Sequence, residues 1–188
     1  AFDAAIRDAE ESARIPAAAV LARVMLALAR AERAQATARR GGEPESDARA
    51  AIEAFDAVLA MAPDHAAALG GRAQALRLLA SDCVRRGRPF AEPFARAVAA
   101  FDEAIQRAPG RLDARIDRTR TLNQWAQARV ERGEDPKEQA ERALAGVEDA
   151  LRLAPEAPLL RDLRGMARTQ RVRAALARGQ DAAAEADA

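Results

Sequence analysis

The sequence predicts an all-α chain of serial antiparallel helix pairs, about eight helices in all, and three observations carry that prediction. The composition is rich in Ala, Arg, Leu, Asp and Glu, most of them good helix formers, and aromatic residues make up only 3% with no Tyr. The dipeptide Arg-Gly recurs at Arg40-Gly41, Arg86-Gly87, Arg132-Gly133 and Arg178-Gly179, each copy 46 residues after the last. The dipeptide Ala-Pro recurs at Ala62-Pro63, Ala108-Pro109 and Ala154-Pro155 with the same period, and Pro16 leads that series one residue out of step. Two independent markers in one period define an internal repeat.

Each marker has a physical role. Glycine after a basic residue closes a helix, because glycine takes the left-handed conformation and arginine complements the negative end of the helix dipole. Proline cannot continue a helix, so Ala-Pro ends one helix and sits near the start of the next. The repeat therefore reads helix A, glycine turn, helix B, proline turn. A helices are predicted near 17–40, 64–86, 111–132 and 157–178, and B helices near 44–62, 90–108 and 136–154. The apolar residues Ala140, Ala143, Leu144, Val147, Leu151 and Ala154 fall at three-and-four spacing, as do Leu69, Ala73, Leu76, Ala80, Cys83 and Val84. A further helix near 2–14 opens on Phe2-Asp3-Ala4-Ala5-Ile6, which echoes Phe101-Asp102-Glu103-Ala104-Ile105 in a B helix. The expected organisation is a single repeat domain over 1–188. It has a partial leading repeat at 1–16, repeats at 17–63, 64–109 and 110–155, and a final helix and tail at 156–188. Starting and stopping in mid-repeat is expected of a fragment of a longer protein, with a natural terminus and frayed tail as the alternative.

The B helices carry a family resemblance. Ala97, Phe101, Ala104 and Pro109 have the small, aromatic, small, proline spacing of a tetratricopeptide repeat; Ala51, Phe55, Val58 and Pro63 repeat it, as do Ala143, Val147, Ala150 and Pro155. The chain departs from that family in length. The usual repeat has about 34 residues, and the surplus of about 12, placed around the Arg-Gly turn and split between the two helices, lengthens each by roughly 9 Å. The first turn of each A helix also lacks the family's usual aromatic, with Leu69 or Ile116 nearby instead. The resemblance implies a right-handed superhelical array of helix pairs that holds a partner protein or peptide on a concave face lined by A helices. The alanine- and arginine-rich style also resembles repeat regions attached to bacterial signalling proteins, including serine/threonine kinases.

Charge and chemistry narrow the function classes. Thirty basic residues against 29 acidic ones leave a net charge of +1, which gives no global attraction to nucleic acid or to an anionic membrane. The most apolar stretch, Ala17 to Ala29, is too short to span a bilayer and contains Arg23, so the expected location is cytoplasmic. Cys83 is the only cysteine and His65 the only histidine, so neither a thiolate cluster nor a His/Cys metal set can form from them. Cys83 reads as a packed thiol and His65 as a turn residue. Gly41-Gly42 and Gly70-Gly71 do not make a phosphate loop, and the second pair reads as close helix packing or a mild break. No cofactor and no catalytic set is expected.

One charged pattern repeats. Asp56, Asp102 and Glu148 in the B helices each precede Arg72, Arg118 and Arg164 in the A helices by 16 residues, across the proline turn. This predicts a ladder of ion pairs within about 4 Å.

Two groups of polar residues are candidate binding surfaces. On the A helices, Asp117, Arg120, Asn123, Gln124 and Gln127 lie close together, with Gln74 and Arg77 one repeat earlier and Thr169 and Gln170 one repeat later. Amides and guanidiniums at such places can hydrogen-bond a peptide backbone or a carboxylate. The last A helix carries an arginine stripe, Arg161, Arg164, Arg168, Arg171 and Arg178, suited to an anion or an acidic partner. Trp125 aligns with Leu79 and is expected in the core. The leading expectation is a protein-interaction scaffold using the A-helix face. The second is a structural spacer or homo-oligomerising module, and the third is anion binding through the arginine stripe.

Overall fold

The computed structural model describes residues 2–12 and 19–178. Pro16, Gly179, the tail and the ends of the first two predicted helices lie outside the described residues. Among the described residues there are eight helices: α1 (Phe2–Ser12), α2 (Ala19–Arg39), α3 (Glu45–Met61), α4 (Ala66–Arg85), α5 (Ala91–Arg107), α6 (Leu112–Glu131), α7 (Lys137–Leu153) and α8 (Pro158–Ala177). No strand occurs among them. The three B helices α3, α5 and α7 have 17 residues each, and the A helices α4, α6 and α8 have 20 each. At 1.5 Å per residue the pairs stand roughly 25–30 Å tall.

The turns between A and B are closed as the glycines require. Gly41, Gly87 and Gly133 have φ of 76°, 67° and 72°, the left-handed region that suits glycine. Around Gly87, the Gly87 N–H donates to Val84 C=O (3.0 Å) and the Arg88 N–H to Cys83 C=O (2.8 Å), so two end carbonyls of α4 are satisfied. Thr37, Ala38, Arg129 and Val130 carbonyls are satisfied in the same way at the other two turns. The turns from B to A are equally uniform. Ala62, Ala108 and Ala154, each held extended by the following proline, have φ between −138° and −144° and ψ between 76° and 82°. His65 opens α4 as a helix cap: its Nδ1 accepts the Ala68 N–H at 3.3 Å.

The chain divides into two compact units, Ala1–Ala108 and Pro109–Ala188, at one of these proline turns. In the first unit, α1 packs on α2, α2 on α3, α3 on α4 and α4 on α5, and the successive A helices α2 and α4 also touch. In the second, α6 packs on α7, α7 on α8, and α6 meets α8. The cores sit between neighbours. Val24, Ala27, Phe55, Val58 and Ala75 form one, Ala73, Leu76, Ala97 and Phe101 another, and Val147, Ala150, Leu160 and Leu163 a third. Alanine dominates the first two of these layers, so helix backbones come close there. The extreme case is Gly71, over which the Phe55 ring lies. Trp125 is buried, and Cys83 is a half-buried free thiol.

The predicted ion pairs form within each unit. Arg72 lies 3.4 Å from Asp56, and Arg164 lies 3.6 Å from Glu148. The middle pair, Asp102 and Arg118, is divided between the two units.

Candidate partner-binding surfaces

The A-helix candidates separate into an inner and an outer set. Helices α6 and α8 approach closely enough for side chains at their contact to be removed from water. Asn123 is 1% exposed and donates through Nδ2 to the Leu163 carbonyl at 3.2 Å. Gln170 is buried and donates to the Gln127 side-chain oxygen at 2.7 Å, which also accepts from Arg173 at 2.9 Å. Gln127 itself donates to Glu131 at 2.9 Å. Asn123, Gln127 and Gln170 therefore hold α6 to α8, and Asn123 and Gln170 are not available to a partner. That corrects the sequence reading, and the reason is packing. A polar column on successive A helices looks like a solvated face when read along one helix, yet here it lies between two of them.

The outer set remains accessible. Gln124 is exposed on α6, and the Arg120 side chain is 42% exposed, donating to the half-buried Asp117 at 3.1 Å. On α8, Met166 occupies the place 46 residues after Arg120 and is 50% exposed. Sequence reasoning missed Met166, although its register with Arg120 and Gln74 was available. In the first unit, Gln74 and Arg77 are half-buried on α4, and the Arg77 carbonyl accepts the Ser81 hydroxyl at 3.0 Å.

The arginine stripe of α8 is partly engaged. Arg161 donates to Glu156 at 2.6 Å, Arg164 pairs with Glu148, and Arg178 reaches Asp135 at 3.0 Å. Arg168 and Arg171 are half-buried.

A third feature was not foreseen. Asp82, on α4, has a side chain only 1% exposed and is surrounded by arginines. It accepts from Arg85, from Arg86 Nε at 2.9 Å and from Arg88 at 2.8 Å. These arginines reach on to the α2–α3 turn: Arg85 donates to the Gly42 carbonyl (2.8 Å), Arg86 to Glu43 (2.8 Å) and Arg88 to Glu45 (3.0 Å). Arg49 and then Arg88 hold the Glu45 carboxyl below its usual range. The cluster locks the end of α4 to the preceding turn. Its signal in the sequence is positional, since the places 46 residues before and after Asp82 hold Ala36 and Ala128.

No protein-family model matches the chain, and no curated protein matches it. Among the described residues no group of three or more His, Cys, Asp or Glu is placed to hold a metal ion, and no helix is long and apolar enough to cross a membrane. The surfaces present exposed guanidinium and amide donors and an exposed thioether, on helices joined by buried hydrogen bonds.

Proposed function

We propose that the chain is a protein-interaction scaffold of the tetratricopeptide type, binding a partner protein or peptide on the outer A-helix face of α6 and α8. The observation that supports this most is the placement of Met166 in register with Arg120. An exposed methionine flanked by arginine and amide donors is the mixture that interface centres favour, because the thioether adapts to an apolar contact while the guanidinium fixes orientation. The interhelical bonds of Asn123 and Gln170 keep the two helices fixed, so little ordering is left for binding to supply. The family resemblance of the B helices agrees with such a role, as does the even charge balance.

The test is proximity crosslinking in the organism of origin, comparing the unaltered chain with an Arg120→Ala/Met166→Ala variant. The expected result is loss of the crosslinked partners with helicity unchanged. Identical partners at equal yield would refute the assignment of this face.

A further inference from the structure

In the second unit, α6 is covered by α7 and by α8. The covered places include Thr119, which lies against Gly146 of α7, and Asn123 and Ala126, all three buried. The places 46 residues later on α8 hold Gly165, Thr169 and Val172. Gly165 and Thr169 are exposed and Val172 is half-buried; Leu176, one turn further on, is 60% exposed. Helix α2 is open on the opposite side. The face that α8 turns to α6 holds Leu163 and Gln170, both buried. Three repeats earlier those places hold Met25, 54% exposed, and Glu32, also exposed. Helix α8 therefore presents the face that a following helix pair would cover, and α2 presents the face that a preceding A helix would cover.

The two open faces carry opposite charge. Across the α6–α8 contact the facing polar pair, Gln127 and Gln170, is neutral. The matching places are Arg173 on α8 and Glu32 on α2. Arg168 stands where α6 has the fully buried Leu122, and its Nε is buried without a hydrogen-bond partner. As a whole, α8 carries five arginines against Asp162 alone. Helix α1, which packs on α2, carries Asp3, Asp8, Glu10 and Glu11 against Arg7. Asp3 and Glu10 are held by Arg33 and Arg30 of α2, and Ile6 and Ala9 pack with Leu26. Ala5 and Asp8, three residues apart on one flank of α1, are exposed.

We infer that copies of this chain join head to tail, with α8 of one copy set against α1 and α2 of the next as α6 is set against α7 and α8. Met25 then meets Thr169, as Leu163 meets Asn123. Arg173 faces Glu32, and Arg168 faces the Asp8 carboxylate past the small Ala5. A twofold contact of α8 with α8 would instead bring arginines together, which their charge opposes. The head-to-tail contact is heterologous, so it propagates along a series of copies or closes as a ring. Arg120, which matches Met166 in register, stays accessible beside the α6–α8 contact, so the junction leaves the partner-binding face open.

The test is sedimentation velocity of the full chain at rising concentration. The sedimentation coefficient is expected to climb past that of a dimer and to fall back in high salt. Met25→Arg blocks the α2 face and Gly165→Arg blocks the α8 face. Both sites are exposed, and a Cβ at Gly165 meets nothing within 4 Å, so helicity by circular dichroism should be unchanged. Each variant alone should stay monomeric. Their equal mixture should form a dimer and stop there, because one intact α2 face and one intact α8 face remain. Glu32→Arg should weaken association about tenfold or more, and Glu32→Arg/Arg173→Glu should recover it. Arg120→Ala/Met166→Ala should leave it unchanged, which separates this contact from the partner-binding face. An unaltered chain that is monomeric at every concentration overturns the inference. So does a mixture of the two blocked variants that stays monomeric, or association that Met25→Arg abolishes and Gly165→Arg does not, the mark of a twofold α2 contact.

Discussion

The Phe55 ring lies directly over the backbone of Gly71, so that a Cβ built at 71 would stand 2.7 Å from Cε1 and 2.8 Å from Cε2, and nearer still to Cζ. Phe55 is fully buried in the core with Val24, Ala27, Val58 and Ala75, so its ring would have to shift against packed neighbours to admit a Cβ. Glycine in a helix interior ordinarily costs about 1 kcal/mol against alanine, so its presence in α4 is explained by this contact. Gly71→Ala is expected to destabilise the first unit by about 1–3 kcal/mol through overpacking, with the propensity gain included. Gly165 in α8 is the control: a Cβ there meets nothing within 4 Å, and Gly165→Ala should stabilise by about 0.5–1 kcal/mol. Urea denaturation followed by circular dichroism reads both. In a double-mutant cycle, Phe55→Leu should recover part of the Gly71→Ala loss, and strict additivity would show that the ring contact is not the cause.

The glycine turns make a second, purely conformational prediction. Gly87 has φ +67° and open space around its α-carbon, so Gly87→Ala meets no clash and suffers only the cost of the left-handed backbone. That cost is about 1–2 kcal/mol. Gly110, also in open space but without positive φ, should tolerate alanine with little change. Equal melting temperatures for Gly87→Ala and Gly110→Ala would show that the turn does not need glycine.

How much of this was legible in the sequence follows from what kind of interaction each feature depends on. Helix ends depend on local chemistry, so the Arg-Gly and Ala-Pro markers located the described ends of α2 to α8 to within about two residues. The Asp56–Arg72 pair was legible too, because its spacing of 16 residues crosses one short turn of fixed geometry. Asn123 was not. Its neighbours on α6 give no sign that α8 covers it, and only the approach of two A helices reveals that its amide meets the Leu163 carbonyl. Asp82 was missed because a carboxylate on an otherwise alanine register has no meaning until Arg85, Arg86 and Arg88 are seen to converge on it.

The two kinds of ion pair in the first unit should respond differently to removal. Arg72 is partly exposed and bridges Asp56 and Glu103 in water-accessible surroundings, so Arg72→Ala is expected to cost less than about 1 kcal/mol. Asp82 is buried, and removing it takes away the carboxylate on which Arg85, Arg86 and Arg88 converge. Asp82→Ala should therefore cost more, about 1.5–3 kcal/mol, despite the alanines at Ala36 and Ala128 in the same register. Raising the salt concentration should narrow the effect of Arg72→Ala, since screening acts chiefly on exposed charges. Equal losses for the two variants would show that burial does not govern this network.

Acid should act on the same junction through Glu45. Its carboxyl titrates below the usual 4.5 because Arg49, and then Arg88, hydrogen-bond the charged form. A carboxyl whose value is lower in the folded chain than in the unfolded one adds stability above the unfolded value. That contribution is lost as pH falls through the lower folded value. The chain's melting temperature should accordingly hold above about pH 5 and decline below about pH 4.5, the ordinary glutamate range. Glu45→Gln should lower the melting temperature at pH 7 while making the decline between pH 4.5 and pH 3 shallower, because one proton-linked group has been removed. Arg88→Ala should act in the same direction but less strongly, since Arg49, bound at 2.8 Å, still holds the carboxylate. A Glu45→Gln curve running parallel to that of the unaltered chain through this range would mean that the carboxyl's titration is not linked to folding, and would separate the geometry of the Glu45 contacts from any contribution to stability.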